Sequence, residues 1–290
     1  MSASPMVLAF TLLFGTALPA RAQDSAGTAF SKIPWERGPM TGDLGKEAQV
    51  RVPDGCLYTG DEGTRQFMEL TQNPVGGNER GTVFCRILDG KGETQSTWFA
   101  VFEFDDSGYV KDDEKQSLDG DAILASLKEG NAAGNKERKQ RGWEAIYLDG
   151  WQSAPHYDDR TQNLTWATRL HGEDDAKVLN HSVRLLGRGG VMSVDLVVSP
   201  RDYERALPAF DAIVADFRYK PGQTYAEWRQ GDKIASYGLT ALVAGGAGAV
   251  LVKTGLLQKF GKAIVVAFAG AAAAIKKLFT GKGKDSSARA

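Results

Sequence analysis

Leu164–Val198, LTWATRLHGEDDAKVLNHSVRLLGRGGVMSVDLVV, decides the fold. Leu164, Trp166 and Leu170 alternate with polar neighbours. Leu179, Val183 and Leu185 do the same, and so do Met192, Val194, Leu196 and Val198. A period of two with short connections predicts an antiparallel three-strand meander with one face buried. Gly187-Arg188-Gly189-Gly190 links the second and third strands, and its glycines predict positive φ at that turn.

Outward from the meander, Ser199-Pro200 with Asp202 gives a helix start: a cap, a proline at the first position and an acid three residues after the cap. Tyr203, Leu207, Phe210 and Val214 recur at helical spacing, and Pro208 inside the run predicts a kink or two short pieces. Upstream, Asp119–Arg141 reads as a long helix, with acids at its start, Ile123, Leu124 and Leu127 on one side, and Lys136, Arg138, Lys139 and Arg141 at its end. Its basic end reads as a solvated helix terminus rather than a docking patch. Asp61–Asn73 reads as a short helix stopped by Pro74. Thr82–Leu88 and Thr97–Phe104 read as strands, the second apolar on both faces and therefore central. Asp105-Asp106-Ser107-Gly108 reads as a turn. The sum is an α+β domain, a mainly antiparallel sheet with two or three packed helices.

The two ends of the chain speak to compartment. Val7–Leu18 is apolar but too short to span a membrane, and Ala20-Arg21-Ala22 forms a small-residue cleavage site, so residues 1–22 read as a signal peptide. Residues 23–45 read as a loosely ordered lead-in, and residues 46–232 as the extracytoplasmic domain. Gln23–Asp232 carries 25 basic and 35 acidic residues, whereas Lys233–Ala290 carries nine basic residues and one acid, Asp285. Residues 233–279 therefore read as a membrane anchor with one or two apolar helices, and 280–290 as a basic tail. Ser236–Val252 would rise about 26 Å as a helix and Ala263–Ile275 about 20 Å, against a hydrocarbon core of about 30 Å. The second run extends through Leu278 and Phe279 if Lys276 and Lys277 snorkel. One crossing, with the basic end cytoplasmic, satisfies the positive-inside rule better than a hairpin; which run crosses stays open. Ala241, Gly245 and Ala249 repeat every four residues, either as a helix–helix contact that permits self-association or as mere filling of the span.

Motifs for chemistry are few. Cys56 and Cys85 are either a disulfide, which an exported chain permits, or two buried thiols. There is no P-loop, no G-x-S-x-G elbow and no H-E-x-x-H, and the Cys and His content argues against a metal site with N/S ligands. No cofactor is expected. His181 falls on the apolar face of its strand and reads as a core histidine; His171 falls on the polar face, and His156 in a Pro-flanked loop. Asp105, Asp106, Asp112, Asp113 and Glu114, and separately Glu173-Asp174-Asp175, offer hard oxygen ligands, but their spacing does not match a calcium loop. The acidic domain disfavours nucleic acid.

Several stretches resemble a known family: Trp98–Asp113 (WFAVFEFDDSGYVKDD), Asn135–Lys139 (NKERK), Arg141-Gly142-Trp143, Arg184–Ser193 (RLLGRGGVMS), Gly231-Asp232-Lys233 and Tyr237-Gly238-Leu239. Together, over about residues 35–280, they are similar to uncharacterised bacterial membrane-anchored proteins grouped as a domain of unknown function. The resemblance implies a signal peptide, an extracytoplasmic domain and a C-terminal anchor, and brings no catalytic residues. In that family the positions of Cys56 and Cys85 are usually not cysteine, so a bridge would be local to this member. The expected role is a non-catalytic binding or scaffold module on the periplasmic side of the inner membrane, with lipids and an unidentified envelope protein as partners. The rivals are a hydrolase-like enzyme with a site assembled in three dimensions, and a membrane-remodelling tail with a sensing domain.

Overall fold

The computed structural model describes residues 28–244. Residues 28–32 form a short helix, α1. The strands are β1 (Glu36–Arg37), β2 (Met40–Leu44), β3 (Ala48–Val52), β4 (Cys56–Gly60), β5 (Glu79–Leu88), β6 (Thr94–Asp105), β7 (Ile146–Asp158), β8 (Asn163–Gly172), β9 (Lys177–Leu186), β10 (Val191–Val198) and β11 (Arg218–Tyr219). The remaining helices are α2 (Asp61–Leu70), α3 (Gly120–Gln140), α4 (Tyr203–Ala215) and α5 (Leu239–Val243). Eight strands build one antiparallel sheet in the order β1-β4-β5-β6-β10-β9-β8-β7, and β11-β3-β2 form a small second sheet. The α+β class and the mainly antiparallel sheet are as the alternation predicts, with β8, β9 and β10 as the meander and β6 central.

Both faces of the large sheet are covered, which corrects the single buried face expected of the meander. In the β8–β9 register Leu164 lies opposite Arg184 and Thr165 opposite Val183. The apolar set of β8 thus faces away from that of β9 and β10. On one face, Leu179, Val183, Leu185, Met192, Val194 and Leu196 pack against α4 and the small sheet. On the other, α1, the bend that follows it and α2 cover one end through Phe30, Ile33, Phe67 and Met68. The opposite end is covered by Ile123 and Leu127 of α3 and by the C-terminal segment. The polar residues that made β9 and β10 alternate are themselves buried between these two covers. Ser182 Oγ donates to Asp195, Arg184 bonds the same carboxylate at 2.9 Å, and the Arg184 guanidinium sits 4.7 Å from the Trp166 ring centroid. A polar residue in alternation need not face water if a partner waits across the strand.

The glycines of the β9–β10 link serve a purpose other than the one expected. None of Gly187, Gly189 and Gly190 occupies the left-handed region. A Cβ on Gly190 would lie 2.0 Å from the Asp105 carbonyl oxygen, and one on Gly187 would lie 2.7 Å from the Tyr219 ring. Close approach, not backbone handedness, demands glycine at these two positions. α4 likewise runs unbroken through Pro208, where a kink or two pieces were expected. Tyr203, Ala206, Phe210 and Ile213 all reach the core from one side of it, so packing of that face holds the helix through the single lost hydrogen bond.

Two domain boundaries also move. The segment expected to be a loose lead-in contains α1, β1 and β2 from residue 28 onward. Phe30 and Trp35 pack there against Phe67 and Phe84, at centroid distances between 5.2 and 6.3 Å. Residues 233–244, expected to open the membrane anchor, pack on the domain instead. Lys233 O accepts from Tyr109 N at 2.8 Å, Ala235 N donates to Tyr109 O at 2.9 Å, and Tyr237, Leu239, Leu242 and Val243 are buried beside α3. Apolar side chains at 239–243 read as lipid-facing from composition alone, but the groove beside α3 offers them the same shelter. Residues 1–27 and 245–290, including the expected signal peptide, Gly245, Ala249 and the second apolar run, lie outside the described residues. Among the described residues, no helix is long and apolar enough to cross a membrane.

Candidate functional site

A polar-rimmed hollow lies where α4 stops short of the β7 edge of the sheet. α4 presents two stripes: Tyr203, Ala206, Phe210 and Ile213 pack down on the sheet, while Leu207, Asp211 and Val214 border the opening. The floor is Thr165 of β8 with His181, Val183 and Leu185 of β9. One wall is His156 on β7, a strand whose pairing with β8 shifts register three times, the last between Ser153 and His156. Bulges of this kind re-aim side chains and blunt an exposed edge, and here they set His156 opposite Thr165. Phe217, Arg218 and Tyr219 close one end, and Thr224–Ala226 with the β7–β8 turn close the other. The resulting cleft has a volume of about 800 Å³, within the range of small-molecule sites.

Its chemistry is that of an apolar trough with polar ends. His181 is 8% exposed, and its Nδ1 lies 2.8 Å from the Tyr203 hydroxyl. Its ring meets Phe210 edge-on at 5.4 Å. Burial, with His156 nearby, pushes its pKa down to about 4, so the imidazole is neutral near pH 7. The core role read from the sequence is thus joined to a place in the cleft lining. The Tyr219 hydroxyl is committed: it donates to Leu185 O at 2.6 Å and accepts from Met192 N at 3.0 Å. His156, Arg160, Arg218, Asp158 and Asp211 supply charge or protons at the rim. Neither serine nor cysteine lines the cleft, and neither of its histidines is hydrogen-bonded to a carboxylate. The third histidine is elsewhere: His171 pairs with Asp149 at 2.6 Å and stacks on Tyr147 near the far end of β7 and β8. α4 and the sheet bring His156 and His181 together across 25 positions of chain, which no local spacing could announce.

The other sequence candidates are placed as follows. Cys56 and Cys85 face each other on β4 and β5 and form a disulfide, with a Cα–Cα distance of 4.3 Å. The acids around Gly108 do not converge. Asp105 accepts from the Tyr237 hydroxyl, Asp106 lies beside Lys233, Asp112 meets Lys115 and the Tyr157 hydroxyl, and Glu114 Oε2 accepts from Thr240 N at 2.8 Å. Three of them clamp the C-terminal segment. Among the described residues no group of three or more His, Cys, Asp or Glu side chains is arranged to hold a metal ion. Ala241 is half-buried against the α3 core, while Gly245 and Ala249 fall outside the described residues.

A buried ionic row escaped sequence reading altogether. Glu79, Glu103, Ser193 and Arg184 lie side by side across β5, β6, β10 and β9. Burial, then the charges of Asp195 and Glu79, push the Glu103 pKa up to about 8 against the pull of Arg184. Burial also raises Asp195, against its bonds to Arg184 and Ser182. The only sequence sign of this row is an acid, Glu103, inside an otherwise apolar strand.

An α+β domain with a ligand-sized cleft is the class these observations define. The chain belongs to the family described as protein of unknown function (DUF2167), whose profile matches residues 36–276. No curated protein matches it. Among solved structures, it is similar to cyanobacterial PsbP (CyanoP) from Synechocystis sp. PCC 6803. That likeness has 12% identity and a TM-score of 0.36, and covers 65% of this chain and 94% of that one. It is also similar to protein of unknown function PA94 from Pseudomonas aeruginosa, at 13% identity and a TM-score of 0.25, over 63% of this chain and 97% of that one.

Proposed function

We propose that the protein is a non-catalytic binding module tethered at the extracytoplasmic face of a membrane, and that the cleft between α4 and β7–β9 is its ligand site. The observation that carries the reading is the cleft itself: an apolar trough of about 800 Å³ ending in histidine, arginine and aspartate side chains. Such a lining suits an amphiphile with an apolar body and a polar head. The Cys56–Cys85 disulfide supports an oxidising compartment. The signal-like Val7–Leu18 and the basic, apolar residues beyond 244 support export and a tether. The cleft lacks a serine or cysteine nucleophile beside its histidines, and this favours binding over hydrolysis.

Titration calorimetry of the full chain with aryl and medium-chain acyl carboxylates tests the site, with Leu207→Trp and Val214→Trp as cleft-filling variants. Saturable binding that both variants weaken at least tenfold is expected. Binding indifferent to either variant would remove the cleft from consideration. Turnover of ester or amide analogues by wild type, lost in His156→Ala, would replace the module with an enzyme.

A further inference from the structure

One end of the domain carries an exposed aromatic and aliphatic group assembled from two distant parts of the chain. Tyr109 stacks on Tyr225, with ring centroids 4.3 Å apart and 13° between planes, and meets Trp228 at 5.4 Å. Ile234 is bridged to Tyr109. Trp228 is 38% exposed and Ile234 47%, two of the few large apolar side chains so open to solvent among the described residues. Lys233 stands beside them with its side chain 64% exposed. Aromatic rings with polar tips, an aliphatic side chain and a lysine are the mixture found where protein meets the headgroup layer.

What covers this end follows from where the described chain leaves it. From Ile234 the backbone dives into the core at Tyr237, Leu239, Leu242 and Val243, and Ala244, the last described residue, is buried there too. Those buried residues cannot also face lipid. Gly245–Val252, the rest of the first apolar run, is eight residues long before Lys253. As a helix it would rise about 12 Å, far short of a hydrocarbon core of about 30 Å. A crossing is left to the second run, Ala263 through Phe279. The stretch between carries Leu256, Leu257 and Phe260 among Lys253, Lys259 and Lys262, a composition suited to the interface. The second run is separated from Ala244 by 18 residues, a reach of about 60 Å fully extended, so it is the lysine-flanked apolar stretch between, lying at the interface, that would keep this end of the domain close to the bilayer.

We propose that the Tyr109–Tyr225–Trp228–Ile234 end rests on the phospholipid surface, which places the Tyr225 end of the α4 cleft beside the bilayer. This rests on the tether proposed above. The test uses the full chain in vesicles whose phospholipids are brominated near the headgroup, with tryptophan fluorescence as the readout. Trp228→Phe should remove most of the quenching seen for wild type, and Ile234→Ser should reduce it. Both positions are exposed, so the variants' thermal melts should match wild type. Protein that fails to sediment with vesicles overturns the tether itself. Protein that sediments, yet whose quenching is unchanged in Trp228→Phe, overturns the docked end and leaves the tether standing. Wild-type protein that sediments without any quenching, together with a crosslinked dimer through Trp228, would assign this end to a second copy of the chain instead.

Discussion

Glu103 is a carboxyl group enclosed with Asp195, Glu79 and Arg184, and its raised pKa makes a prediction with a definite sign. A folded-state pKa near 8 against an ordinary 4.5 means the native state holds a proton that the unfolded chain has released. The associated stability is present in full below pH 4.5 and is lost as pH rises toward and through 8. His181 runs the other way, because its pKa is depressed: stability is lost as pH falls from 6.5 toward 4. Well above pH 6.5 that histidine is neutral in both states, which leaves the buried Glu103–Asp195 pair. Denaturant melts should therefore show wild type losing on the order of 2 kcal/mol between pH 6.5 and 8, and Glu103→Gln staying nearly flat. Parallel curves would mean that Glu103 does not carry the proton. At this scale the sequence was least legible. Ser182, Arg184 and Asp195 read as the wet side of an alternating strand. They are dry because their partners sit on the neighbouring strand, at distances set by register rather than by spacing along the chain.

Elements were more legible than their surroundings. α2, α3 and strands β5, β6, β8, β9 and β10 follow from alternation, capping and helical spacing, and Asp119 caps α3 by accepting from Asp121 N and Ala122 N. Periodicity reports which side of an element is apolar, but not what lies against it. That is why one buried face was expected where there are two, and why residues 239–243 read as membrane. The same limit hid the purpose of the β9–β10 glycines. Gly190→Ala should cost about 2–3 kcal/mol, since its Cβ would enter the Asp105 carbonyl and push β6 from β10. Gly189→Ala, whose Cβ would meet only Gln223 Oε1 at 3.9 Å, should stay within about 0.5 kcal/mol. Equal effects in thermal melts would show that the turn's conformation, not crowding, selects glycine. The cleft is a gap between elements and had no local signature, although the loop-like, Pro-containing stretch around His156 hinted at an irregular edge.

The whole molecule is larger at its C-terminus than charge and hydropathy suggested. A chain ending after Asp232, the boundary drawn from composition, lacks Leu239, Leu242 and Val243. It should lose roughly 5 kcal/mol or more, taking about 2 kcal/mol per buried side chain. A chain ending after Ala244 should melt as the full-length protein does, and indistinguishable melts for the two truncations would mean the segment contributes nothing. The long-range ties that hold this segment have a further consequence. Tyr237 reaches Asp105 across 132 positions and Thr240 reaches Glu114 across 126. These contacts close long loops, so they form late and only after the last part of the domain has been synthesised. Until then the groove beside α3 stands open and greasy. The core of the domain therefore cannot close until residues 237–243 have been made, and every shorter nascent chain presents an unfilled groove.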